Sequence, residues 1–396
     1  MDVIQGGQMS LFTLKSSILI TCSKGIAPFL KEEIIALGFP VRSELIAGVG
    51  TEGTLEDCIM LNLSIRTGQR VLYLLESFTV NNPDELYKKT SKIPWEDYIP
   101  RNGYVCVTSF VDNPSIKDTR FANLKCKDAI VDRFYEKFKS RPDSGPKKDQ
   151  SVIFIYWRND KCSIYIDTSG ESLSRRGYRK IPLAAPMQET LAASVILATG
   201  WKSGENLINP MCGSGTLAIE AALMAMGRNP GAMRNNHGFM HINGFDRPQW
   251  RKMKGLAEKA KKTPLGKIIA TDINPRAIEG AQSNAADAGV NHLIDFEVCD
   301  FSDTPVPEGT GVIVLNPEYG ERMGEIEELK DVYKKIGDYF KQECAEYRGY
   351  IFTGNMELAK HVGLRAKTRT PFYNSNIECR LFGYELYSGS RKKPIE

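Results

Sequence analysis

The sequence predicts an α/β protein in two parts, the second of them a doubly wound parallel sheet. Beyond residue 188, short apolar runs alternate with helical stretches, the order expected of strands joined by crossover helices. A Gly-rich turn, Cys212-Gly213-Ser214-Gly215-Thr216, closes the first of these runs, and two later runs end in acids, Asp272 and Asp300. In an open α/β sheet such chain ends gather at the carboxyl edge of the strands, where ligands bind.

Residues 1–15 carry Gly6-Gly7 and no clear periodicity, so the fold is expected to begin at a strand over 17–22. A helix over about 25–37 follows, then a helix over 55–65 and strands over 70–78 and 104–110. Over Thr119 to Phe138, the apolar residues Phe121, Leu124, Ala129, Ile130 and Phe134 fall on roughly one helical face, which predicts an amphipathic helix packed on a sheet. Strands over 152–157 and 162–166 complete the first part, and the polar, Pro-containing stretch 140–150 reads as an exposed loop. Residues 168–185 read as a basic connection. The second part then runs helix 188–199, strand 206–209, helix 216–226, strand 268–271, helix 275–288 and strands 295–298 and 312–315.

A chain of 396 residues has room for two or three domains, and its apolar and charged fractions, 42% and 25%, are those of a soluble globular protein. No run approaches the roughly 20 apolar residues of a membrane span, and 17–21 is too short for a signal peptide, so a cytoplasmic protein without a membrane partner is expected. Nine cysteines between Cys22 and Cys379 form no Cys-x-x-Cys pair, which disfavours a zinc site and a disulfide framework. The net charge of +4 is mild. Its distribution is not: residues 111–180 hold sixteen Lys or Arg against ten Asp or Glu, including the cluster Arg175, Arg176, Arg179 and Lys180. Charge runs are usually solvated faces, but clustering at a domain junction points to a phosphate-binding surface.

Chemistry is carried by four signals in order on successive strands. Asn316-Pro317-Glu318-Tyr319 follows the apolar run 312–315. An Asn side-chain oxygen and the main-chain carbonyl of Pro317 can accept both hydrogens of an exocyclic NH2 group while the Tyr319 ring stacks on a base. Such an amine is a poor nucleophile, because its lone pair is delocalised into the ring, so it must be held in position for reaction. Asn-Pro also starts ordinary turns. The second signal is Asn209-Pro210-Met211-Cys212-Gly213-Ser214-Gly215-Thr216, in which Gly213 and Gly215 let main chain approach a ligand. It satisfies the dinucleotide fingerprint, yet Asp272 lies much farther on than the roughly 20 positions that fingerprint requires. Asp272 can accept both ribose hydroxyl protons, Ile273 can lie against an adenine ring, and Asp300 can accept from an adenine amino group. Each acid could equally cap a helix.

With these residues in place the chain resembles the THUMP-containing, S-adenosylmethionine-dependent RNA methyltransferases, especially bacterial large-subunit rRNA guanine-N2 methyltransferases with a single catalytic domain. The resemblance runs from about Leu14 to Tyr387 and rests on the stretches 121–132, 170–179, 185–193 and 210–220, and on Tyr319-Gly320-Glu321-Arg322. It implies a ferredoxin-like segment over 14–57, a THUMP RNA-binding domain over 58–168, a basic linker over 169–185 and a Rossmann-like class I methyltransferase domain over 186–390. It also implies S-adenosylmethionine as cofactor, with Thr190 near its carboxylate, Gly213 and Gly215 beside its methionine part, Asp272 on the ribose and Asp300 on the adenine. Asn316 and Pro317 would orient the target amine and Tyr319 stack on the base. The sulfonium is already activated, so the chemistry calls for no metal. The implied partner is RNA, 23S rRNA first and tRNA second.

Two positions depart from the family's usual pattern: Glu318 stands where a second Pro is usual, and Asn209 where an Asp is usual. Asn209 still hydrogen-bonds but brings no carboxylate to the sulfonium. His237 and His241 have the spacing of a helical metal pair, but Gly238 and Asn243-Gly244 argue against a helix there. Cys212 reads as a packing thiol, and Glu321 and Arg322 as either RNA contacts or helix caps. Other readings are a tRNA guanine-N2 methyltransferase, a DNA adenine methyltransferase, a non-catalytic RNA-binding ribosome-assembly factor and, more distantly, an NAD-dependent dehydrogenase.

Overall fold

The computed structural model describes residues 11–116, 118–180, 187–259, 266–320 and 323–387. Contacts divide the chain into two compact units. The first holds the chain up to Cys22, Leu30–Leu173 and the excursion Arg234–Ala257; the second holds Ser23–Phe29, Ser174–Met233 and the chain from Glu258 on.

The first unit is built on one eight-stranded sheet. Its strands are β1 (Ser16–Thr21), β2 (Ser43–Leu45), β3 (Gly48–Gly53), β4 (Arg70–Thr79), β5 (Tyr104–Asp112), β6 (Asp143–Ser144), β7 (Ser151–Arg158) and β8 (Lys161–Asp167), in the spatial order β2-β3-β1-β4-β8-β7-β5-β6. The antiparallel pairing of β4 with β8, from Leu72 opposite Asp167 to Thr79 opposite Lys161, makes the sheet continuous. Its helices include α1 (Ala27–Ala36, continuing from the other unit), α2 (Leu55–Ser64), α3 (Pro83–Thr90), α4 (Trp95–Tyr98) and α5 (Thr119–Phe138). The α2 helix starts where it does because Thr54 and Asp57 exchange side-chain and backbone hydrogen bonds in a capping box.

Helix α5 has the expected limits but not quite the expected face. Ala122, Cys126, Ala129, Ile130 and Phe134 are buried, in steps of four, three, one and four, whereas Phe121 and Leu124 are each 48% exposed. The true stripe follows the helical period from Ala122, and Phe121 and Leu124 lie together on the opposite face. The stretch 140–150 is not wholly loop, since β6 adds a two-residue parallel edge beside β5.

The second unit carries a seven-stranded sheet. Strands β9 (Asn206–Asn209), β10 (Ile268–Asp272), β11 (Ile294–Val298), β12 (Gly311–Leu315) and β13 (Tyr347–Thr353) are parallel. Strands β14 (Thr368–Asn374) and β15 (Ile377–Glu385), which the sequence pattern did not reveal, add an antiparallel hairpin at one edge. The order is β11-β10-β9-β12-β13-β15-β14. Helices α6 (Glu189–Ala198), α7 (Thr216–Ala225), α9 (Pro275–Asp287) and α10 (Met323–Gln342) belong to this unit, and α8 (Arg247–Lys259) begins in the excursion. Every residue of β12 is buried, as a central parallel strand requires. The strand order reverses at β9, between β10 and β12, so the expected ligand crevice lies at the carboxyl ends of these strands.

Candidate active site

The turn after β9 is built from left-handed backbone. Met211, Gly213 and Gly215 have φ of 53°, 54° and 76°. Gly215 is required by packing as well, because a Cβ there would meet Ala281 Cβ of α9 at 2.9 Å. At Gly213 a Cβ would meet nothing within 4 Å, so that position faces open space. Met211 has no such excuse; a side chain in this region costs on the order of 1 kcal/mol and marks turns held for a purpose.

Asp272, at the tip of β10, ties this turn down. Its Oδ2 accepts from Gly213 N at 2.9 Å and its Oδ1 from Asn274 N at 2.9 Å. Ile273 beside it is 69% exposed. Asp300, after β11, accepts from Ser302 N at 3.0 Å and Ser302 Oγ at 2.7 Å, which starts a short 3-10 turn. Asp300 therefore does the capping work that the sequence left open, whereas Asn274, not Asp272, caps the helix after β10; each acid retains further acceptor capacity.

Thr190 lies in the first turn of α6, fully buried, and its Oγ1 finds no hydrogen-bond partner. Asn209 is 1% exposed. Its Nδ2 donates to Val314 O at 2.9 Å, which links the end of β9 to β12 two residues before Asn316, while its Oδ1 has no partner. Two orphaned buried oxygens, one in the first turn of α6 and one at the start of the Gly-rich turn, are features that a polar ligand would satisfy. Burial pushes the pKa of Cys212 up, with the Asp272 carboxylate adding to the effect, so Cys212 is a neutral packing thiol.

The loop after β12 is held from three directions. Tyr319 Oη donates to Asn316 Oδ1 at 2.6 Å. Asn355, just beyond β13, donates from Nδ2 to Tyr319 O at 3.0 Å. Tyr333 of α10 donates to Glu318 O at 3.3 Å and meets Thr353 Oγ1 at 2.7 Å. Gly354 makes room for the Tyr319 ring, since a Cβ there would stand 3.0 Å from its Cδ2. Pro317 is buried and Glu318 exposed, so the charge introduced at 318 faces solvent. Burial raises the pKa of Tyr319, which keeps its hydroxyl a donor. Tyr333 and Asn355 carry no spacing signal in the sequence. Glu321 and Arg322, and the stretch 181–186 that contains Ala185 and Pro186, lie outside the described residues.

The basic cluster at 175–180 is divided: Arg175 and Lys180 are exposed, whereas Arg176 and Arg179 turn inward. Arg176 is 1% exposed with its Nε 3.5 Å from the fully buried Glu220. Arg179 Nη2 donates to Met187 O at 2.6 Å and Thr216 Oγ1 at 3.0 Å and lies 3.6 Å from Glu189. Lys180 pairs with Asp287 at 2.7 Å. Arg176 and Arg179 thus join elements within the second unit. In the first unit, His237 stacks on Phe239 at 4.9 Å between ring centroids, while His241 Nε2 meets Asn236 Oδ1 at 2.8 Å, within and around a 3-10 turn over Gly238–His241. Among the described residues no helix is long and apolar enough to cross a membrane.

Comparison with known proteins fits this geometry. A ferredoxin-like domain model of the RlmL type matches residues 17–72 and a THUMP domain model residues 80–167. A protein of Syntrophotalea carbinolica named ribosomal RNA large subunit methyltransferase K/L is 37% identical over 92% of this chain and 53% of its own length, so the chain spans about half of that relative. The solved structure of SMU.472, described as a putative methyltransferase complexed with SAH, superposes with a TM-score of 0.84 at 25% identity, covering 96% of this chain and 99% of that one. A Listeria monocytogenes protein described as a predicted N6-adenine-specific DNA methylase gives a TM-score of 0.84 at 28% identity, covering 95% and 97%. The RMKL-like methyltransferase domain model matches residues 176–382, more than half of the chain, and the chain belongs to that family.

Proposed function

We propose that the chain transfers a methyl group from S-adenosylmethionine to the exocyclic N2 amine of a guanine in 23S rRNA. One observation carries the reading: Asn209 joins the Gly-rich turn to β12, so the turn that suits a methyl donor and the Asn316 loop that suits an amine stand at adjoining strand ends. S-adenosylmethionine supplies a methyl group already activated on a sulfonium.

The residues fit that molecule. Thr190 Oγ1 and Asn209 Oδ1 offer buried polar atoms without partners, and Gly213 faces open space. Gly215 holds the turn against α9; Asp272, Ile273 and Asp300 follow on β10 and β11 as contacts for ribose and adenine. Asn316 Oδ1 has a second lone pair beyond the one Tyr319 engages, and with the Pro317 carbonyl it accepts the two hydrogens of a planar amine. Holding those N–H bonds fixes the amine for in-line attack. Tyr319 gives the loop its shape through Asn316 and offers its ring to the base. A duplex hides that amine, so the guanine must be single-stranded or flipped. The THUMP match and the rRNA names of the relatives favour 23S rRNA as partner and a cytoplasmic setting.

Methyl incorporation from labelled S-adenosylmethionine into unmodified 23S rRNA and bulk tRNA, followed by nucleoside mass spectrometry, tests the reading. N2-methylguanosine confined to 23S rRNA is expected; confinement to tRNA moves the substrate to the other RNA class. The likeness to the Listeria protein makes an adenine amine in DNA the second reading, because Asn316 and Pro317 do not distinguish one planar amine from another. Asn316→Ala should lower turnover by about 100-fold or more, the scale of losing one positioned polar contact to a reacting group. Donor binding, read by calorimetry, should be retained. Unchanged turnover in this variant would sink the assignment of the loop.

A further inference from the structure

A cavity of about 240 Å³ opens beside the β14–β15 hairpin of the catalytic unit, and none of the residues assigned above lines it. Its wall holds Lys360, Arg365, Arg369 and Arg380 over an apolar floor that includes Leu364 and Phe382, and no carboxylate lines it. Arg380 pairs with Glu378 at 3.1 Å and Lys360 with Glu357 at 2.7 Å. Arg365 and Arg369 are exposed and have no ion pair among the described residues, and Arg369 stands 6.0 Å from the centroid of the Phe382 ring. One wall residue connects the cavity through the chain to the loop after β12. Met356 in its wall is the residue next to Asn355, which holds Tyr319 O.

We propose that this cavity is an RNA subsite, taking the phosphate and part of the ribose of a nucleotide near the target base on the substrate strand. Guanidinium groups on one wall suit a phosphodiester, which they can contact by two hydrogen bonds each, and the apolar floor suits the sugar. The concavity is larger than a free phosphate needs. The chain link through Met356 to Asn355 gives the subsite a purpose: holding a neighbouring nucleotide fixes where the target base lies before it meets Asn316. This inference rests on the RNA reading given above and deepens it.

The double variant Arg365→Ala/Arg369→Ala tests it, with unmodified 23S rRNA transcribed in vitro as the probe and filter binding across a salt series in the presence of S-adenosylhomocysteine. RNA affinity should fall tenfold or more, and the slope of log affinity against log salt should become shallower by about two. Affinity for S-adenosylhomocysteine and the melting temperature should be unchanged. Arg365→Lys/Arg369→Lys should keep the salt slope. Lys334→Ala/Lys335→Ala, which removes the same charge from exposed positions on α10, should cost far less. The proposal is overturned if the Arg-to-Ala pair leaves RNA affinity and slope within twofold of the parent, if the α10 pair weakens binding equally, or if the parent chain does not bind the RNA. Because binding is read without turnover, failure to find N2-methylguanosine would count against the proposed reaction and leave this result standing.

Discussion

Two groups of arginines in the second unit behave in opposite ways. Arg176 and Arg179 belong to a basic run in the sequence, yet both turn into the unit against Glu220 and Glu189. Arg365, Arg369 and Arg380 are dispersed and form no basic run, yet they line one cavity. The hairpin explains the second group. Arg369 pairs with Phe382 across β14 and β15, and Arg380 lies two residues from Phe382, so both cations are on the same face of the hairpin. Charge that is adjacent in sequence makes no field unless the fold leaves it outside, and a fold can assemble a field from residues that show no run.

The sharpest way to break this contrast is Arg176→Ala. It would leave Glu220, fully buried, without its cation, and should cost about 3–5 kcal/mol of stability, read from denaturant unfolding. A loss under about 1 kcal/mol would place that charge effectively in solvent and undo the contrast.

A smaller effect is expected at Glu96 in the first unit, where a third set of cations is absorbed internally. Arg133 and Lys137 of α5 hydrogen-bond to it at 2.7 Å, and those contacts, Arg133 first, hold its pKa down to about 2 from an ordinary 4.5. A depressed carboxylate stabilises the fold above its unfolded pKa and loses that contribution as pH falls through the folded value. The advantage of the parent over Glu96→Gln should therefore be on the order of 2 kcal/mol at pH 7 and shrink between about pH 4.5 and pH 2. Unfolding measured across that range checks the sign.

The smallest effect is expected from Lys180→Ala. Its side chain is 68% exposed even while paired with Asp287, so the change should cost less than about 1 kcal/mol and leave RNA affinity within twofold. A large loss of RNA binding would return the 175–180 cluster to the role its sequence first suggested.

What was legible in the sequence follows from how local its causes are. Helix α5 could be read to its end residues because Asp118 caps it by accepting from Arg120 N and Lys139 ends it in the left-handed region. Strand β9 was equally clear, bounded by its Gly-rich turn. The β2–β3 hairpin was hidden by Gly48, Gly50 and Gly53, since glycine is a poor strand signal, and β14 by Pro371, which an edge strand tolerates. At the site, the order of Gly213, Gly215, Asp272, Asp300 and Asn316 along the chain was visible because a doubly wound sheet turns strand order into spatial order. The braces were not. Tyr333 and Asn355 reach the loop after β12 from α10 and the end of β13, and no fixed spacing joins them to Asn316. Phe121 and Leu124 were misplaced on α5 because a stripe counted from the first aromatic, rather than from Ala122, is rotated away from the core.

The hydrogen bond from Asn209 to Val314 also explains why an amide, rather than a carboxylate, suits this strand end. Asp at position 209 would turn an acceptor towards the Val314 carbonyl in place of the amide donor that now stands 2.9 Å from it. Because that carbonyl belongs to the main chain, no side-chain change at 314 relieves the clash of two acceptors, and the amide acts as a cross-strand clasp between the Gly-rich turn and the loop that follows β12.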